Sequence, residues 1–434
     1  MGRTGGETYC RHTRDLALIV PTDRVRIGSV LLSVLALLLP SVGLYAPLGM
    51  APALIIMGLI ALVMLWPQWP WQQLRHGIGL WAVAVSTIGL VLAAWAIEPG
   101  QSAKVAVIFV GMAFFGLTLR QALASLSRQQ ARRLFACLLT GSVVALAVLC
   151  ADILTCGAIL AKQIWHVKGL CIGHGFIYKR GLTVLILLLI PLFSAVEHLW
   201  PRAVWRLAIL GLGAAALATA LWLGSETLLG VGILGGAAFI MVRLWGTTAI
   251  RLLGVGSVVL ALSTPAVMVM LPVPGSWPEG ELQLPTSLHH RITIWQFAGQ
   301  RWLEKPLLGW GLDASREMPG AEGRYRVSLE QARSMGWSHG YDEQFLPLHT
   351  HSIAVQWWLE LGVPGGILLA VLVWLITRKV IAARGNPNIR AITAAAAISI
   401  MVVSLLSFGA WQSWWLSTIW IIAALMATST ATES

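Results

Sequence analysis

Two groups of residues in this chain have the types and spacings that could do chemistry. The first is basic: Lys162, Lys168, Lys179 and Arg180, the last directly preceding the charge-free apolar run Gly181 to Leu192. A guanidinium at such an edge can grip a phosphate with two parallel hydrogen bonds, whereas the lysines are equally explained by reaching toward lipid phosphates. The second is rich in histidine: His289, His290 and Arg291 lie early in the hydrophilic stretch Pro272 to His351, and His349 and His351 close it. His349 and His351 form H-x-H, but no neighbouring Cys or H-E-x-x-H pattern completes a zinc set, so no metal is expected. No Walker loop or Rossmann glycine pattern asks for a nucleotide either. For His289, His290 and His349 the plainest reading is a solvated loop residue.

Composition says what must position these groups. The 434 residues are 57% hydrophobic with 43 glycines besides, and only 11% are charged, against about 25% in an ordinary globular chain. So little charge cannot coat a water-facing surface, which excludes a soluble fold. Five cysteines are too few for a disulfide framework. The sequence therefore reads as an all-α polytopic membrane protein. Its twelve span-length apolar runs begin near residues 27, 50, 76, 103, 134, 181, 203, 227, 250, 352, 391 and 411.

The net charge of +12 reads as topogenic and not as a nucleic-acid surface. Placing both termini in the cytoplasm puts 18 of the 30 basic residues on that side. The group ending at Arg180 then stands on the opposite face, against the rule, and an anionic ligand would explain it. The layout that follows is a cytoplasmic N-terminal tail at 1–26, read as retained and not as a signal peptide. Spans one to nine follow at 27–271 with a basic loop at 156–180, then a large outer loop domain at 272–351. Spans ten to twelve occupy 352–428, and a cytoplasmic tail 429–434.

Inside the loop domain, His290 to Lys305 reads as a helix stopped by Pro306 and the Gly309, Trp310, Gly311 turn, with a second short helix over Val327 to Met335. Ser352 to Leu361 reads as an amphipathic interfacial helix carrying Trp357 and Trp358, broken at Gly362, Pro364 and Gly365. Asp152, Glu197 and Glu226 read as hydrated carboxylates near span ends. A disulfide between Cys156 and Cys171 would close the basic loop.

The stretch Arg291, Lys305, Pro306, Leu308, Gly309, Gly311 and Leu312, followed by His351-Ser352, nine residues, Gly362, two residues and Gly365, resembles the bacterial O-antigen ligase and O-antigen polymerase family. The run Tyr178 to Leu185 is similar to the ligase segment that carries a functional arginine. One departure is His349-Thr350-His351-Ser352, where polymerase relatives commonly show H-P-H-N; it disfavours the polymerase reading.

The resemblance implies a glycosyltransferase of the C type (GT-C) in the bacterial inner membrane, with its active site on the periplasmic face. It would transfer a preassembled glycan from an undecaprenyl-pyrophosphate-linked O-antigen donor to a lipid A-core acceptor, as a monomer among membrane lipids, without cofactor or nucleic acid. His351 would act as general base by an inverting displacement, with Arg180, Arg291 and Lys179 on the pyrophosphate. His349, Glu360 and His290 would be secondary. The alternatives are an O-antigen polymerase or protein O-oligosaccharyltransferase of the same family, and a lipid-linked sugar transporter.

Overall fold

The computed structural model describes residues 22–67, 71–165, 176–200, 202–272, 286–334, 339–383 and 387–431. Among these, ten helices are long and apolar enough to cross a membrane, from Asp23–Tyr45 to Pro387–Leu406, and a shorter apolar helix, Ser413–Thr428, follows. Large side chains such as Leu207, Leu244 and Val255 stand more than half exposed on these helices. That is tolerable where the surrounding solvent is hydrocarbon. The chain is a helical, multi-pass membrane protein.

One of these helices, Glu226–Met270, has 45 residues. At 1.5 Å per residue that is about 68 Å, over twice a bilayer core of about 30 Å. It is broken at Gly246, whose φ of 56° and ψ of −130° lie where residues with a side chain rarely go. An added Cβ there would meet nothing, so the dihedral and not the space demands glycine. Elsewhere glycine serves close packing. A Cβ on Gly181 would strike the Leu44 carbonyl, so the first turns of Phe176–Leu199 lie backbone to backbone on Thr22–Tyr45. That contact fixes where Arg180 stands.

The polar segment folds onto the bundle, its core of Ile294, Phe297, Trp310, Met318 and Leu346 continuous with Met268 and Trp358 of the apolar helices. Its main helix is Thr286–Glu304, beginning four residues before the expected start. Val327, the expected start of a second helix, instead ends a strand of a two-stranded antiparallel ribbon, Arg324–Val327 with Tyr341–Gln344; the helix is described over Leu329–Ser334, and Met335 lies outside the described residues. The ribbon is a small addition to an otherwise all-helical chain. Its strands are four residues each and half charged, so the alternation of Arg324 to Val327 is too short to announce them. Cross-strand pairs hold them, such as Arg326 Nη1 on Asp342 Oδ1 at 3.0 Å.

Ile353–Ile381 corrects a second expectation. Ala354 through Leu361 are buried on every side, so this is not an amphipathic interfacial helix. Trp357 stacks between Trp81, at 5.7 Å, and Trp411, at 5.4 Å, and Trp358 donates its indole N–H to the Ala261 carbonyl. At Gly362, with φ 60° and ψ −143°, the helix breaks. The carbonyls left open there are not wasted: Leu359 and Glu360 accept from Trp310 and Gly311, and the Val363 N–H bonds to Pro306 and Leu307. The His-Ser-x9-Gly-x2-Gly spacing thus acquires a physical meaning. A nine-residue helix is followed by a break, and Gly365 then passes so close to the Trp357 carbonyl that a Cβ would collide.

Two further expectations change. Asp152 is fully buried and not hydrated, its Oδ1 accepting the N–H groups of Ile159 and Leu160. Cys156 is disulfide-bonded; Cys171, its expected partner, lies outside the described residues, as do Lys168 and both terminal tails apart from their inner ends. Cys137 and Cys150 are free thiols within Arg128–Leu154.

Candidate active site

His351 sits between the polar segment and the buried helix, held from several directions. Its backbone is left-handed, φ 54°, and its N–H donates to His349 Nδ1 at 3.1 Å. The residue before it is clamped too: the Trp295 indole donates to the Thr350 carbonyl at 2.8 Å, and Thr350 Oγ1 to the Ser352 carbonyl. His351 Nδ1 lies 2.9 Å from the Ser407 carbonyl oxygen. A carbonyl can only accept, so Nδ1 carries the ring proton and Nε2 keeps its lone pair. This is the tautomer a base needs.

Burial, with the charge around the ring, keeps it neutral. Burial first, then the neighbouring His290, Arg291 and Arg180, bring His351 down to about 4, against the upward pull of the Ser407 bond. His349, which accepts the His351 N–H, is brought to about 3 by burial and by His351, Arg316 and Arg180. It acts as a prop, its ring 4.2 Å from that of His351.

The two arginines approach from different helices. Arg291, on Thr286–Glu304, gives Nη1 to the Ser287 carbonyl at 3.1 Å, and its buried Nε has no hydrogen-bond partner among the described residues. Burial lowers its pKa and Glu226 partly restores it. Glu226 also accepts from the Ser287 hydroxyl, so this carboxylate belongs to the site's wall. Arg180 is exposed, its guanidinium 5.6 Å from the centre of the Trp414 ring. Lys179 braces a turn instead, its Nζ donating to the Gly224 carbonyl at 2.7 Å.

Glu360 also proves to be a bolt. It is fully buried and accepts from the Asp313 and Ser315 N–H groups, the Ser315 hydroxyl, Gln356 and the Trp411 indole. Gln356 in turn accepts the Ala410 N–H at 2.7 Å. Through Gln356 and Ala410, Glu360 is thus linked to the loop that presents Ser407 to His351.

The reading of solvated histidines fails at His289 and His290. His289 is buried, and its Nδ1 lies 3.1 Å from Glu343 Oε2, while His290 Nδ1 lies 3.2 Å from Oε1 of the same carboxylate. Tyr325 hydroxyl meets His289 Nε2 at 2.8 Å. Burial would raise Glu343, but the two histidines win and hold it at about 2. Glu343 and Tyr325 are absent from the sequence reading because they lie on the unannounced ribbon. Beside Ser352 opens a cavity of about 170 Å³ lined by apolar groups including Leu260, Met268, Trp295, Val355 and Leu406.

No protein-family model matches the chain. It is similar to a Rickettsia conorii protein named "Putative polysaccharide ligase", 31% identical over 198 residues, which are 45% of each chain. Proteins of the same name from Rickettsia felis and Rickettsia prowazekii are 27% and 28% identical over 193 residues. The matched segment spans less than half the length of these relatives. The resemblance to the O-antigen ligase family, read from the His351, Gly362 and Gly365 motif, is thus accompanied by relatives that bear a polysaccharide-ligase name.

Proposed function

We propose that this protein is an O-antigen ligase of GT-C architecture, joining a preassembled glycan carried on undecaprenyl pyrophosphate to lipid A-core at the periplasmic face of the inner membrane. The observation that carries the proposal is the Nδ1–H tautomer of His351, fixed by Ser407, in the field of Arg180 and Arg291. The acceptor hydroxyl attacks the anomeric carbon while Nε2 takes its proton. The carbon–oxygen bond to pyrophosphate breaks on the opposite side, which inverts the centre. The leaving group keeps the electron pair, and the guanidinium groups hold the growing charge.

An anion held by Arg180 and Arg291 would offset their part of the depression of His351, while burial, its largest cause, stays in place. The topology proposed with this function has twelve crossings, counting one on either side of Gly246 and the shorter helix Ser413–Thr428, with 272–351 and the 156–180 loop outside. The Cys156 disulfide supports an oxidising outer side for that loop.

The test is to incubate purified protein in detergent and chelator with undecaprenyl-pyrophosphate-linked glycan and lipid A-core, and to follow the lipid A-core band on a gel. A shift lost in Arg291→Ala is the expected result. Growth of the donor without a shift of lipid A-core would make the protein a polymerase. No change in either lipid would overturn glycan transfer between these substrates.

A further inference from the structure

Glu343 is a single carboxylate shared by two adjacent histidines. Successive residues on a helix point about 100° apart, yet Oε2 engages His289 at 3.1 Å and Oε1 engages His290 at 3.2 Å. The carboxylate reaches them from the strand Tyr341–Gln344 and is itself buried. An ionised carboxylate only accepts, so each histidine must present Nδ1–H to it. For His290 this leaves Nε2 as the nitrogen not held by Glu343. The His290 and His351 rings are 6.0 Å apart, centre to centre, and close to perpendicular. Further charge reaches this pair from Arg180, Arg291 and His349, with Arg316 behind His349 and Glu226 behind Arg291.

Resting on the base assignment above, we infer that His290, oriented by Glu343, is a proton relay behind His351. His351 is a poor place for a proton to stay, being surrounded by cations and desolvated. His290 stands beside it, its Nδ1–H held by the Glu343 carboxylate and its Nε2 the nitrogen that can take that proton. The acceptor O–H bond breaks and an N–H bond forms at His351 Nε2. That proton then passes to His290 Nε2, directly or through one water, and leaves to solvent or to the departing pyrophosphate. His351 is restored to the tautomer Ser407 dictates. Glu343 is a positioning residue in this scheme, and His289 with Tyr325 anchors its second oxygen.

The relay is tested by kcat and KM of the purified protein in the lipid A-core assay, for wild type, His290→Ala, Glu343→Gln and His351→Ala, from pH 6 to 9 with and without imidazole. His290→Ala should lose kcat by about 10²-fold, with the donor KM unchanged. Imidazole should restore at least part of that loss, and the deficit of His290→Ala and Glu343→Gln should shrink as pH rises and bulk base substitutes. Wild-type kcat in both variants, or a loss indifferent to imidazole and pH, would overturn the relay. If His351→Ala is impaired while both variants are normal, the base stands and the relay falls.

Should wild type transfer nothing, the proposed function fails, and the relay geometry is read instead from nitrogen-15 spectra of histidine-labelled protein. There the His290 signal, identified by its loss in His290→Gln, should report Nδ1–H and move toward Nε2–H in Glu343→Gln. An unchanged spectrum overturns the bridge.

Discussion

Gly362 lies against the backbone of Leu307, so close that a Cβ would stand 2.6 Å from the Leu307 carbonyl carbon. Both space and dihedral therefore exclude a side chain at this position. Gly362→Ala should cost about 1–3 kcal/mol for the backbone conformation alone and more for the collision. A fall in the thermal unfolding midpoint in detergent would register it. An unchanged midpoint would mean that the contact between the buried helix and the 306–311 loop does not matter for stability.

His351→Ala should lower kcat by about 10²- to 10⁴-fold if Nε2 is the general base. The variant must elute and melt like wild type for the result to count. Turnover near that of wild type would remove the base assignment.

Arg180→Lys and Arg291→Lys should each lower kcat/KM for the lipid-linked donor by about 10²-fold, because an ammonium cannot supply the paired, planar donors of a guanidinium. Lys179→Ala should chiefly lower the melting temperature, since its ammonium braces the Gly224 turn. Equal kinetic losses at all three positions would show that charge alone, without geometry, serves the phosphate.

Acid should destabilise the fold in a defined window. His349 and His351 are held at about 3 and about 4, below the ordinary histidine value of 6.5. The unfolded chain then binds more protons than the folded one, so their contribution is complete above pH 6.5 and is lost as pH falls toward 4 and 3. Glu343, held at about 2 from 4.5, adds its loss only below pH 4.5. Melting temperatures between pH 7 and pH 4.5 should decline, and the decline should flatten in His349→Gln. A slope that His349→Gln leaves intact would assign it to other groups.

Glu360→Gln should destabilise by about 2–4 kcal/mol, because an amide brings donors to a place where several donors already converge. Loss of activity should accompany loss of stability, since the Ser407 loop is held through Gln356. A stable but inactive variant would argue for a direct chemical role.

Much of this was legible in the residues. The apolar runs mark the spans because no other segment can satisfy a bilayer, and the Gly362 break is visible because glycine and proline leave few alternatives. The His351 motif is local, with its prop His349 two residues away and its glycines on the same helix. What escaped depends on contacts that no local pattern encodes. Glu343 meets His289 across 54 residues of sequence through a charged four-residue strand, and Glu226 meets Ser287 across 61. Trp357 and Trp358 misled for a related reason: amphiphilic indoles suit both a lipid boundary and a buried stack, and only Trp81 and Trp411 decide between them.

The backbone bonds that tie Trp310, Gly311 and Val363 across the Gly362 break have a mechanical corollary. They weld the polar cap to the short buried helix, so His351 and the 306–311 loop move as a single jaw. Under the proposed function, admitting two lipid substrates by swinging that jaw open at Gly362 would break the bonds of Trp310, Gly311 and Val363. In the proposed reaction His351 and Arg291 then keep a fixed relation on that jaw, and Arg180 meets them from a separate helix, Phe176–Leu199.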